Sequence, residues 1–173
     1  MSNAFTRLKR IARHRWFDLC DPAGRIFAPP LRAKLLQHVA ASESMHTGQI
    51  RIYAESALPQ SYLWRDASSR ERAITVFGKL RVWDTEHNNG VLIYLLLAER
   101  SIQIIADRGL NRHVPPQIWS DMAARMAQAL ANDQWERGLL QAVDEVTALL
   151  RIHFPAAPGA SRNNELPDAP IIR

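Results

Sequence analysis

The chain has 173 residues, enough for one domain with a substantial core plus tails. An apolar fraction of 47% and five Trp fit a folded globular protein, and the single Cys20 excludes an intrachain disulfide. Seven of the 22 Lys and Arg lie in residues 1–32 against two of the 17 Asp and Glu, so the net charge of +5 belongs to an N-terminal arm and gives no ground for whole-domain nucleic-acid binding.

That arm, residues 1–28, places Phe5, Leu8, Ala12 and Trp16 at helical spacing among Arg7, Lys9, Arg10, Arg13 and Arg15. The expectation is a helix that docks its apolar stripe on the domain and leaves its charges in water. The alternative is peripheral contact of residues 5–17 with an anionic membrane. The arm lacks the continuous apolar stretch of a secretory signal, and no apolar run approaches the roughly 18–20 residues that span a bilayer. A cytoplasmic location is therefore expected.

Pro29-Pro30 opens a helix whose face is Leu31, Leu35, Leu36, Val39 and Ala40, ending near Glu43. Residues 48–56 alternate Ile50, Ile52 and Ala54 against Gln49, Arg51 and Tyr53, as a strand does. Ser68 and Glu71 form a capping box for a helix over 68–81. Residues 90–98, "GVLIYLLLA", are nearly all apolar, which predicts a strand covered on both faces. "ERS" turns the chain into another strand over 101–107. Pro115-Pro116 then opens a helix with Trp119, Met122 and Met126 on its face, and Asp133 is expected to cap a last helix carrying Leu139, Val143, Val146 and Leu150. Trp64, Trp83, Trp119 and Trp135 read as core residues. Residues 156–173 read as a flexible tail.

Strand, helix, strand makes a right-handed parallel crossover, and the third strand returns antiparallel. Helices on both faces complete a small three-layer α/β/α sandwich with a mixed sheet, spanning residues 29–155. In this topology three loops meet at one edge: 43–47, 84–89 and 107–113. They carry the carboxylates Glu43, Asp84, Glu86 and Asp107, with Asn88, Asn89, His87 and Arg108 in support, and His46 and His113 nearby.

Carboxylate and amide oxygens are the donors of a hard cation. Calcium takes about six to eight of them in flexible geometry, whereas magnesium retains water and zinc favours His and Cys. The donors therefore suit calcium or magnesium, and the three His could instead favour zinc, with Asp84, Asp107, Glu86 and Glu43 as candidate ligands. The plainer account of the same residues is structural: Asp84 capping a turn, "NNG" supplying positive φ, and Asp107 with Arg108 as a surface ion pair.

The run "FGKLRVWDTEHNNGVLIYLLLAERSIQIIADRGLNRHV", with "ESMHTGQIRIYAESALP" before it and "GLLQAVDEVTALLRIHFP" after it, resembles the TPM domain family, named after a thylakoid lumen acid phosphatase and photosystem-repair proteins. The resemblance covers roughly residues 30–155. It implies the same three-layer sandwich and a divalent-cation site at acidic loops, for calcium ahead of magnesium or zinc, with Asp84 and Asp107 as the matching positions. Two departures stand out: Gln49 and Gln103 occupy places where the family leads one to expect Glu. The function expected first is a cation-binding domain with an interaction or regulatory role and a protein partner. The alternatives are a metal-dependent acid phosphatase acting on phosphate monoesters and a peripheral membrane protein.

Overall fold

The computed structural model describes residues 4–157 and 164–173. Three helices lead in: α1 (Ala4–Cys20), α2 (Pro22–Ile26) and α3 (Pro29–Glu43). They are followed by β1 (Ile50–Glu55), α4 (Gln60–Trp64), α5 (Ser69–Lys79) and β2 (Val91–Leu96). A 3-10 turn (Leu97–Glu99) leads to β3 (Ser101–Ala106), α6 (Arg108–Asn111), α7 (Pro116–Ala131), α8 (Trp135–His153) and β4 (Ile171–Ile172). The sheet order is β3-β2-β1-β4; β1 runs parallel to β2 and to β4, and β3 runs antiparallel to β2.

All six residues of β2 are buried. Val91, Ile93 and Leu95 join β1, α3, α7 and α8 in the larger core, while Leu92, Tyr94 and Leu96 face α4 and α5 in the smaller one. The two side-chain sets of one strand thus fill two cores, and the α/β/α sandwich follows. Local signals agree: Ser68 Oγ accepts from Glu71 N at 3.1 Å at the start of α5, and prolines open α3 and α7. Asp133 does not cap α8. It has φ 62° and accepts from Trp135 Nε1 at 2.9 Å, and Gln134 takes the cap position. Trp64 and Trp83 are exposed, unlike Trp119.

The C-terminal residues depart from the expected flexible tail. Glu165 N and Leu166 N both donate to Gln49 Oε1, at 3.1 and 2.9 Å. The chain then pairs as β4 with β1, closed by Arg173 N to Ala54 O and Ser56 N to Arg173 O. Residues 158–163 of that tail lie outside the described residues. Gln49 is therefore a clamp for the C-terminal strand, a role an amide oxygen fills as well as a carboxylate. Gln103 Nε2 lies within bonding distance of Ser69 and Ser101, which turns it away from the converging loops.

The N-terminal helix docks by the face opposite to the expected one. Arg10 donates to Glu99 Oε1 at 2.7 Å, to Asp66 Oδ1 at 2.7 Å and to Ala67 O at 2.6 Å. His14, 1% exposed, accepts from Leu58 N through Nδ1 and meets Glu99 Oε1 through Nε2 at 3.0 Å, with Ile11 packed beside them. The apolar stripe points outward instead, with Phe5 65%, Leu8 70%, Trp16 66% and Leu19 82% exposed. Among the described residues no helix is long and apolar enough to cross a membrane.

Two outcomes follow from these contacts. Gln49→Leu strips two backbone amides of their acceptor, so it should cost on the order of 1–3 kcal/mol, read as a lower urea midpoint; an unchanged midpoint would mean the C-terminal strand contributes nothing. For Glu99, burial would raise the carboxyl, but the hydrogen bonds from His14 and Arg10 outweigh it and hold the group below its ordinary value. Its contribution to docking is full above the ordinary Glu value of about 4.3 and is lost as pH falls through the lower folded value. Amide protection in α1 should fall in that acid window before protection in β2 does; simultaneous loss would show that α1 is not held by this carboxylate.

Candidate functional site at the converging loops

The starts of β1 and β2 and the end of β3 share one edge, and hydrogen bonds tie their loops together. Gly109 N donates to Asn88 O at 2.8 Å and Asp107 N to Gly90 O at 2.9 Å. Asn89 Nδ2 donates to Thr47 Oγ1 at 3.1 Å. Residue 109 has to be glycine for the loops to close, because a Cβ there would stand 2.4 Å from Asn88 O and 2.7 Å from His87 O. Asn88 has φ 52°, a left-handed turn that Asn tolerates well.

The candidate residues divide into three groups. Asn88, Asn89, Asp107 and Arg108 come together. Asp107 is buried; its Oδ1 accepts from Arg108 N at 2.7 Å, and its Oδ2 is buried without a hydrogen-bond partner. Asn89 is fully buried, and its Oδ1 is likewise buried and unpartnered. Arg108 Nε donates to Asn88 Oδ1 at 2.8 Å, which lays the guanidinium across the two loops.

Asp84, Glu86 and His87 are exposed on the outer side of their loop, with Asp84 3.8 Å from Arg81. The third group is Glu43 alone. It is buried, and its Oε1 accepts from Ile50 N at 2.7 Å, so this carboxylate anchors the start of β1. It also faces Arg51, whose guanidinium burial pushes below its ordinary value against the attraction of Glu43 and Asp168.

The histidines take structural places. His46 is buried between Ser42 Oγ and Gly48 O, and His113 stacks on His153 at 4.9 Å. Among the described residues no three His, Cys, Asp or Glu side chains gather closely enough to hold a metal ion. What the edge does hold is one carboxylate oxygen and one amide oxygen, both buried and both with hydrogen-bonding capacity unused. These fit a hard cation in donor type and fall short of a full ligand set, which carbonyls and water would have to complete. Glu165 also reaches this edge, accepting from Glu86 N at 3.0 Å. Nothing in the sequence pattern marked it, because its position depends on how residues 164–173 lie along β1.

The opposite edge carries a polar network built on Glu55, at the end of β1. Glu55 accepts from Arg72 Nε and Nη2 at 2.9 and 2.8 Å and from the Tyr94 hydroxyl. Burial first, and the Glu55 charge second, push the Tyr53 and Tyr94 phenols up. A cavity of about 600 Å³ opens above it, lined by His14, Tyr53, Lys79 and Arg173 among others. Both Glu55 oxygens are engaged, so the carboxylate braces β1 against α5.

Gly109→Ala tests the loop contact directly. The new methyl meets backbone oxygens, which cannot swing aside, so a loss of about 1–3 kcal/mol is expected. For a chain of this size that lowers Tm by roughly 2–4 °C per kcal/mol. An unchanged Tm would show that the loops are not pressed together.

The comparisons with known proteins agree with this architecture. The BA42 protein of the psychrophilic bacterium Bizionia argentinensis, solved by NMR, superposes with a TM-score of 0.73 at 21% identity, over 84% of this chain and 94% of that one. The N-terminal domain of a P. gingivalis protein superposes with a TM-score of 0.57 at 17% identity, over 79% of this chain and 85% of that one. At these identities the likeness is one of fold. None of the curated proteins matches the chain. The family model of the TPM domain matches residues 20–149, which include β1 to β3, most of the helices flanking them and all three converging loops, and the chain belongs to the TPM domain family.

Proposed function

We propose that this TPM domain binds a divalent cation, calcium in preference to magnesium or zinc, at the converging loops, and that the ordered edge serves an interaction or regulatory role toward a protein partner. The observation that carries this reading is the pair of buried, unpartnered oxygens, Asp107 Oδ2 and Asn89 Oδ1. Each costs about 1–3 kcal/mol while it lacks a partner, and buried polar atoms left without one call for an explanation. A cation shared by two adjoining loops satisfies both at once.

Calcium suits such a site because it accepts irregular geometry and mixed oxygen donors. With one buried carboxylate in the site, affinity is set at the weak end, with Kd on the order of 10⁻⁴–10⁻³ M. Asp84 and Glu86, exposed on the same loop, add negative potential and are not required as direct ligands. Asn88 holds Arg108 in place, and its positive charge limits how strongly the site attracts a cation.

A calcium and magnesium titration of chelator-stripped protein, followed by amide NMR, tests the proposal. Saturable shifts confined to residues near 84–89 and 107–113 are expected, weaker by about tenfold or more in Asp107→Asn and only slightly weaker in Asp84→Asn. No shifts at millimolar cation would refute it. If the loaded protein hydrolyses p-nitrophenyl phosphate and Asp107→Asn does not, the edge carries phosphatase chemistry instead of a purely regulatory role.

A further inference from the structure

The outward face of α1 is apolar along its whole length. Phe5, Leu8, Ala12, Trp16 and Leu19 follow one another at spacings of three and four residues, so they lie on one side of the helix, and all are exposed. Lys9, Arg13 and Arg15 are exposed on the flanks of this stripe, with Lys9 Nζ folded over the Phe5 ring at 4.4 Å. The helix has one acidic residue, Asp18, four residues after the docked His14 and therefore on the inward side, where it lines the 600 Å³ cavity. Beyond Trp16 the surface continues as a groove of about 390 Å³ lined by Phe17, Cys20, Pro22 and Ile26, with Arg25 at its rim.

We propose that this face of α1 seats the protein on an anionic lipid surface. The stripe enters the boundary between headgroups and acyl chains, while the flanking Lys and Arg extend their charges to the lipid phosphates. Two features favour lipid over a second copy of the chain. A coiled-coil seam needs alternating spacings of three and four, which from Phe5 would place either Arg15 instead of Trp16 or Lys9 instead of Leu8 in the seam. The stripe is also flanked by cations alone, which repel in a paired helix and attract anionic headgroups. Unlike the usual docked amphipathic helix, α1 is already fixed to the domain through Arg10 and His14, so its apolar face is presented in a single orientation.

This inference stands independently of the cation reading. The helix contacts the domain at the edge carrying Glu99, and the converging loops lie at the other end of six-residue strands, on the order of 20 Å away. A lipid-bound α1 therefore leaves the loop edge uncovered.

The test is cosedimentation of the full chain with vesicles of phosphatidylglycerol and phosphatidylcholine against vesicles of phosphatidylcholine alone, at low and high salt. Binding to the anionic vesicles, weakened by salt, is expected. Leu8→Asp combined with Trp16→Asp should reduce it by tenfold or more, and Arg13→Ala by roughly fivefold, with Tm unchanged because these side chains face water. If the double variant does not fold, quenching of wild-type fluorescence by brominated acyl chains, diminished in Trp16→Phe, supports the same conclusion. Absent or salt-indifferent vesicle binding, undiminished binding by a folded double variant, or quenching unaltered in Trp16→Phe would overturn the proposal. So would a wild-type dimer in light scattering that the double variant makes monomeric while vesicles bind neither form.

Discussion

A strand buried at all six positions cannot face water on either side, and β2 is such a strand. Helices must seal both of its faces, which fixes the layering before any other contact is considered. Its two neighbours then decide what stands at each end. The parallel partner β1 brings its start to the start of β2, and the antiparallel partner β3 brings its end there. Polar loops that are sixty residues apart in sequence have no other place to go. With strands of only six residues, the two edges of the sheet are distinct surfaces separated by an apolar slab.

Much of this was legible in the sequence because it depends on short-range patterns. An unbroken apolar run, a capping box at Ser68 and paired prolines at the starts of α3 and α7 act locally, and the structure keeps them. What the sequence hid depends on partners far away. β4 is two residues long, too short for any period, and it exists because Gln49 and the open side of β1 receive it. The phase of α1 was hidden for a related reason. Periodicity locates an apolar stripe on a helix, but which side faces inward depends on what the domain offers, here Glu99, Asp66 and the carbonyl of Ala67. Trp64 and Trp83 were misplaced in the same way, since their apolar neighbours in sequence turn inward while they do not.

The candidate site was legible as a place and not as a ligand set. Topology brings the three loops together, and no pattern could say how each carboxylate spends its oxygens. A buried carboxylate persists only when paired or hydrogen-bonded, because desolvation is otherwise too costly. Glu43 meets that requirement through the Ile50 amide and the charge of Arg51, and Glu55 through Arg72 and Tyr94. Asp107 meets it by half, through Oδ1 alone. Among the described residues three acids are buried, and Asp107 alone of them keeps a buried oxygen unpartnered, as Asn89 does on the adjoining loop; that asymmetry sets this edge apart from the bracing one at Glu55.

The positive charge of the arm divides along the same lines. Arg10 is consumed by Glu99 and Asp66, and this ion pairing is what turns the polar side of α1 toward the domain. Once that side is committed, the helix has no freedom to bury its aromatic and leucine side chains, whose exposure is a consequence of the docking and not of a frayed terminus. The cations left over, Lys9, Arg13 and Arg15, flank those side chains in water. Of the seven cations in residues 1–32, Arg10 fixes the helix, Lys9, Arg13 and Arg15 flank its free face, and Arg25 and Arg32 bond the carbonyls of Cys20 and Phe27.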